Sequence, residues 1–333
     1  MEVYTFDKIV MQEDYDKILR LYLETTDTME KINLFSQLVD LKKYLNNSDN
    51  IKTLIPNGYY DYIYDKELER IDNYRELNEL TEELCYYWCQ SLRNIGSYRE
   101  NKYSLINNGL SLQSYYEELY DFFKNVIPSD LQLFVDTFEN KKIQVKRSLF
   151  QREEILYLYC LKKFYIKISY NFKLNKINVR NAIHEFGHAS EFFENGIGKA
   201  NDYIMMEPVA VLYEILYINY IYKNNVNMQL AEYSNLFRLI RPSELENYFC
   251  LNYYKDDKRF PGMLLREISY MYDCIIAASI YMKSGSDLEK NMKFIKSRSP
   301  YEKTFDILNN IGIDEDDLIY TAKNVKRLIL NRD

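Results

Sequence analysis

The sequence predicts a mainly α-helical protein with one small β segment. Helix breakers are scarce, with nine Gly and six Pro in 333 residues, and long stretches repeat apolar side chains at steps of three and four. The β segment is placed by Phe164-Tyr165-Ile166-Lys167-Ile168-Ser169-Tyr170, where β-branched and aromatic residues concentrate.

Taken in order, the first 45 or so residues fit two amphipathic helices, with Leu19, Leu21 and Leu23 on one and Ile32, Leu34, Phe35, Leu38 and Leu41 on the other. Asn46 to Asn50 reads as a loop and Pro56-Asn57-Gly58 as a turn. Tyr60 to about Arg93 is again helical, and Leu112 to Val126 is helical up to Pro128. Leu131 to about Tyr159 reads as one long helix or two. After the strand, a helix from about Asn178 to Asn195 is closed by Gly196-Ile197-Gly198, where a C-cap glycine belongs. Helices from Glu207 to Tyr222, Met228 to Leu239, Ser243 to Tyr254 and Pro261 to Lys283 follow. No linker stands out; the working division is an N-terminal helical region, 1–150, and a catalytic region, 151–333, which one domain could also contain.

Composition excludes several classes. The net charge is −7, so the electrostatic footprint of a nucleic-acid binder is missing, and short basic runs such as Lys162-Lys163 read as solvated helix faces. The N-terminus lacks a basic stretch followed by an apolar one, and no long uncharged apolar segment occurs; the expectation is a cytoplasmic protein with no membrane partner. The five cysteines, Cys85, Cys89, Cys160, Cys250 and Cys274, are odd in number and widely spaced, which suits reduced core thiols. Nothing in the sequence sets an oligomeric state.

The chemistry lies in one run. The chain's only two histidines, His184 and His188, stand four apart in His184-Glu185-Phe186-Gly187-His188. On a helix both rings leave the same face one turn apart, a spacing that lets two imidazoles hold one Zn²⁺. Glu185 sits about 100° round the helix, where a carboxylate can take a proton from the metal's water. A third ligand must be Asp, Glu or Cys, because no histidine remains. Glu207 is the candidate: it opens the apolar helix Glu207-Pro208-Val209-Ala210-Val211-Leu212-Tyr213-Glu214, and an acid in such surroundings needs a partner. Glu214, seven residues on, returns to nearly the same face and is placed to orient a histidine from behind. Glu191 and Glu194 are weaker rivals for the metal and are expected to face solvent.

His184-Glu185-Phe186-Gly187-His188-Ala189 resembles the core motif of the thimet oligopeptidase and oligoendopeptidase F family of zinc metallopeptidases. In that family a helix with two glutamates seven apart follows, its first glutamate being the third zinc ligand; Glu207 and Glu214 match it. The resemblance implies a helical zincin-type fold with a small β-sheet beside the metal-binding helix. The stretch Phe164 to Asn178 resembles the family's edge strand, which lies along the bound peptide and would make Tyr165, Ile166, Lys167 and Ile168 substrate-binding residues. Arg259-Phe260-Pro261 to Tyr270-Met271-Tyr272 resembles its C-terminal tyrosine-rich segment. Three departures stand out: the chain is shorter than most members, the gap from His188 to Glu207 is shorter, and the histidine that steadies the oxyanion in the family is missing. Tyr270 and Tyr272 are the matching candidates for that task, followed by Tyr253 and Tyr254.

The resulting expectation is a zinc-dependent endopeptidase, one Zn²⁺ per chain, that hydrolyses oligopeptides or one dedicated precursor peptide. Glu185 would be the base, and His184, His188 and Glu207 the ligands. Two other readings exist: a non-catalytic, zinc-bound peptide-binding protein, motivated by the missing histidine but not by the intact Glu185, and a regulatory HExxH protease.

Overall fold

A computed structural model describes residues 8–45, 51–65, 78–95, 109–147, 154–158, 161, 163–170, 173–195, 207–237, 262–299 and 302–330. Among these residues the fold is mainly α with one small sheet. The chain forms two compact units, Met1–Asp72 with Gln132–Phe172, and Asn73–Leu131 with Lys173–Asp333. The chain leaves the first unit and returns to it, so no single cut reproduces the division; a cut at residue 150 falls inside the first unit.

The first unit holds α1 (Lys8–Glu24) and α2 (Thr28–Leu45). They pack through Met11, Tyr15 and Ile18 against Leu34, Phe35, Leu38 and Leu41, and Tyr165 joins the same cluster. Asp14 is buried among these side chains because Lys163 Nζ, at 2.7 Å, and the Tyr165 hydroxyl, at 2.8 Å, both donate to it. Three strands complete the unit: β1 (Ile143–Arg147), β2 (Glu154–Leu158) and β3 (Lys163–Tyr170). Their order is β1-β3-β2, with β1 parallel and β2 antiparallel to β3.

Two expectations need correction here. The stretch from Leu131 is a helix only over Leu131–Glu139 and then turns into β1. And β3 is the central strand. Ile166 and Lys167 are paired on both sides, Tyr165 with Leu156 of β2, and Ile168 with Val145 of β1. At Ile166 and Lys167 both hydrogen-bonding edges are filled and no peptide strand can be added there, whereas Tyr165 and Ile168 are each paired on one side. The side chains are committed too: Tyr165 to Asp14, Lys167 over the ring of Tyr44, and Ile166 and Ile168 to the buried interior.

The second unit contains α3 (Asn78–Ile95), α4 (Leu112–Val126), α6 (Lys176–Asn195), α7 (Pro208–Tyr222), α8 (Val226–Phe237), α9 (Gly262–Ser284), α10 (Leu288–Lys296), α11 (Thr304–Asn310) and α12 (Glu315–Leu330), where α5 denotes Leu131–Glu139. Its centre is α7. Every residue from Pro208 to Ile218 is buried, as a helix apolar all round requires. The start of α6 is fixed by a reciprocal cap. Asn175 Oδ1 accepts from the backbone N–H of Ile177 and Asn178, while Asn178 Oδ1 accepts from the N–H of Asn175. Pro208 occupies the first turn of α7, where its missing N–H costs nothing.

Gly187, inside the His-Glu-Phe-Gly-His run, lies where α6 meets α7. A Cβ there would stand 2.7 Å from Ala210 Cα and 3.1 Å from Ala210 N. Only a residue without a side chain allows this approach. A buried polar knot then ties the helices. Lys296 Nζ donates to Asp130 Oδ1 and Ser190 Oγ, both at 2.9 Å, and the Tyr213 hydroxyl donates to Asp130. The thiols of Cys85, Cys89 and Cys274 are buried in this unit; Cys160 and Cys250 lie outside the described residues, as do the expected helix at Ser243–Tyr254 and the glycines 196 and 198. No helix among the described residues is long and apolar enough to cross a membrane.

Replacing Gly187 with Ala is expected to destabilise the fold by about 1–3 kcal/mol, the usual cost of overpacking a backbone-to-backbone contact. Urea denaturation checks this; an unchanged midpoint would show that α6 and α7 part without penalty.

Candidate metal centre

The site is built by α6 and the start of α7. His184 and His188 stand one turn apart on α6, their ring centroids 5.0 Å apart. Glu207 is the residue that precedes α7. Its side chain makes no capping hydrogen bond, so the carboxylate turns to the imidazoles instead: Glu207 Oε2 lies 3.1 Å from His184 Nε2 and 2.9 Å from His188 Nε2. The N-terminal end of the α7 dipole favours a negative charge at that place. Its backbone N–H is held as well, 3.3 Å from Asp273 Oδ1 on α9.

Behind the imidazoles stand further charges. Glu214 Oε1 is 2.8 Å from His184 Nδ1. Its other oxygen is 3.0 Å from Arg180 Nε, and Arg180 Nη1 is 2.6 Å from Glu232 Oε2. Glu191 Oε2 lies 3.8 Å from His188 Nδ1, and Glu191 Oε1 lies 2.6 Å from Arg298 Nη1. Glu191 is 1% exposed, so it does not face solvent as the sequence suggested; Glu194 does. The sequence signal for Glu191 was its place three residues after His188, on the same side of the helix. Nothing in the sequence pointed to Arg298, and Arg180 was missed although it precedes His184 by one turn.

With Glu214 accepting the Nδ1 proton, His184 Nε2 is the atom turned toward Glu207, and its lone pair would become available to a metal once it gives up its own proton. One ligand atom each from His184, His188 and Glu207 lie within 4.8 Å of one another. Two imidazole nitrogens and one carboxylate oxygen are the donor set of a catalytic zinc site that keeps a position open. The residues therefore fit zinc. Glu185 is buried beside His184 on α6.

Without metal, the same geometry binds protons. Burial pushes the His184 imidazole down, but its hydrogen bonds to Glu207 and Glu214 outweigh that and hold it well above the usual histidine range. For His188, burial is likewise overcome, by the Glu207 charge and by Glu191, and the value is pushed up to about 10. Burial pushes Glu207 up, and the two histidines more than reverse it, leaving the carboxyl well below its ordinary range.

The expected tyrosines separate. Tyr272 is fully buried, and its hydroxyl is 2.8 Å from Thr81 Oγ1 on α3. Two residues along a helix is about 200°, so Tyr270 points elsewhere. Tyr270 shares a face with Asp273, the partner of the Glu207 N–H. Its hydroxyl is buried, and burial, with the charges of Glu214 and Glu207 adding to it, holds its pKa well above the usual tyrosine value. Tyr253 and Tyr254 lie outside the described residues.

No protein-family model and no curated protein matches the sequence. Solved structures do match in fold. An oligoendopeptidase F from Bacillus anthracis str. Ames superposes with a TM-score of 0.52 at 13% identity, over 94% of this chain and 69% of its own. A second oligoendopeptidase F and PZ peptidase A with an inhibitor each give 0.55 at 12% identity, over 92% of this chain and 66% of theirs. This is the oligoendopeptidase F fold. The chain spans about two thirds of the length of these proteins.

Any metal in this centre would compete with protons. Because the folded histidine values are raised, metal must displace protons, and its affinity is expected to rise with pH through neutrality until His188 titrates near 10. Calorimetric titration of metal-free protein in two buffers of different ionisation enthalpy counts the protons released. A pH-independent affinity with no release would contradict the geometry.

Proposed function

We propose that this protein is a zinc-dependent endopeptidase acting on oligopeptides or on one dedicated precursor peptide. The observation that carries the reading is the convergence of His184, His188 and Glu207, with Glu185 next to the first ligand, in a chain with the oligoendopeptidase F fold.

Zinc in this centre would supply a Lewis acid that polarises the scissile carbonyl and acidifies water. The remaining work falls to the chain. Glu185 takes the proton of the attacking water and returns it to the leaving amine. Glu214 accepts the Nδ1 proton of His184, which fixes the ring orientation and makes Nε2 the better donor. Asp273 holds the Glu207 backbone, so the carboxylate starts from one position. Tyr270 donates a hydrogen bond to the developing oxyanion in place of the family's histidine. Its raised pKa keeps it protonated, and so a donor, across neutral pH. Tyr272, bonded to Thr81 in the interior, serves packing.

Glu185→Gln is expected to keep zinc and lose about 10²–10⁴-fold in kcat on a peptide library. A chelator should abolish cleavage, and added zinc should restore it. If the zinc-loaded wild-type protein cleaves no peptide in that library or in extracts of small peptides, the endopeptidase reading fails. Tyr270→Phe is expected to lower kcat by about 10²–10³-fold with KM little changed, whereas Tyr272→Phe should leave kcat in place and cost stability. Steady-state kinetics on one cleaved peptide separates the two; equal losses would remove Tyr270 from the chemistry.

A further inference from the structure

We infer that Glu191 and Arg298 form a second positioning arm for the metal centre: Glu191 receives the Nδ1 proton of His188, and Arg298, more than a hundred residues away in sequence, holds Glu191 in place. The inference rests on the proposed zinc site.

Two needs on the two sides meet here. When His188 Nε2 ligates a metal, its proton resides on Nδ1 and requires an acceptor. Glu191 Oε2 faces that nitrogen at 3.8 Å. In turn, both carboxylate oxygens of Glu191 are buried without a hydrogen-bond partner among the described residues; Oε1 has the Arg298 guanidinium at 2.6 Å as an ion-pair partner. Oε2 is therefore a buried acceptor in need of a donor. A contact of 3.8 Å is an ion pair and not yet a hydrogen bond; closing it takes about 1 Å, within the reach of a ring rotation once Nε2 is drawn to a metal.

The arm repeats the one behind the other histidine. His184 is backed by Glu214, and Glu214 by Arg180. His188 is backed by Glu191, and Glu191 by Arg298. Both carboxylates and both arginines are buried, which makes each arm costly to hold and stiff once formed. Arg298 Nη1 also donates to the carbonyl of Ile295 at 2.6 Å. That bond fixes the guanidinium to the end of α10 and places the arm's origin outside the two ligand helices. Glu191 is a positioning residue, and so is Arg298; neither reaches substrate in this account.

The chain's two histidines make the test direct. Protein carrying ¹⁵N-labelled histidine shows only four ring nitrogens. In the zinc-loaded wild type, the His188 Nδ1–H proton should be exchange-protected and shifted downfield, like that of His184. An Nδ1 proton of His188 that exchanges as in free imidazole overturns the inference without any variant. Glu191→Gln should shift the His188 signal and leave His184 unchanged, and should weaken zinc about 10–100-fold in competition with a chelator. If that variant fails to fold because Arg298 is left uncompensated, the double variant Glu191→Gln/Arg298→Met removes both charges and restores the fold but not the zinc affinity. Wild-type zinc affinity in a folded double variant overturns the inference. Failure of wild-type protein to bind zinc at all falls on the proposed function instead, so the two are distinguished.

Discussion

The His184, His188 and Glu207 group depends on how closely α6 and α7 approach. Gly187 and the backbone of Ala210 meet at a distance that no Cβ would tolerate. On either side of that point the pairs run in opposite chain directions, His188 to Glu207 and His184 to Glu214. The two helices are therefore antiparallel, and the glycine is their point of contact. With one turn between the histidines and two between the glutamates, a wider crossing would leave at most one carboxylate in reach. The glycine inside the motif thus serves the geometry of its neighbours and has no chemistry of its own.

What this crossing gathers is a row of charges, buried except for the partly exposed His184 and Glu207. From one end it reads Glu232, Arg180, Glu214, His184, Glu207, His188, Glu191, Arg298. Signs alternate along the row whenever the imidazoles are protonated. Desolvating so many charges costs several kcal/mol per ion before pairing, and alternation is the arrangement that recovers the most. It also explains why the metal-free imidazoles hold protons so firmly: each lies between two carboxylates. A divalent cation held by His184, His188 and Glu207 would take over that role, and metal and proton would then be two ways of completing one electrostatic pattern.

Much of this was legible in the sequence, and for local reasons. Histidines four apart and glutamates seven apart state helical faces outright, and the apolar run after Glu207 announces a buried helix that an acid would enter only with a partner. The strand Lys163–Tyr170 was equally plain from its side chains. Where the reading went astray, the deciding contacts were distant in sequence. β1 alternates only over Ile143-Gln144-Val145-Lys146, too short a run to stand out from the helix before it, and its place is set by its register with β3. That same register makes β3 central, and no property of β3 alone distinguishes a central from an edge strand. Glu191 looked solvated because its counter-ion stands on the far side of the chain, beyond α10.

The division of labour on α9 follows from helix geometry in the same way. If both histidines hold a metal, any hydrogen bond to a developing oxyanion has to come from another kind of side chain. A useful donor must stay protonated at working pH, and burial, which raises a phenol's pKa, secures that for Tyr270. The neighbouring face of α9 puts Tyr272 against Thr81 in the interior, and Asp273, one turn on from Tyr270, accepts the N–H of Glu207. The helix that would carry the donor is thus anchored at one face to the core and at another to the backbone of Glu207. Through Asp273, one turn along the same helix, the position of Tyr270 is tied to that of Glu207. That is the condition electrostatic stabilisation demands: donors already in position when the charge appears, with no reorganisation left to be done.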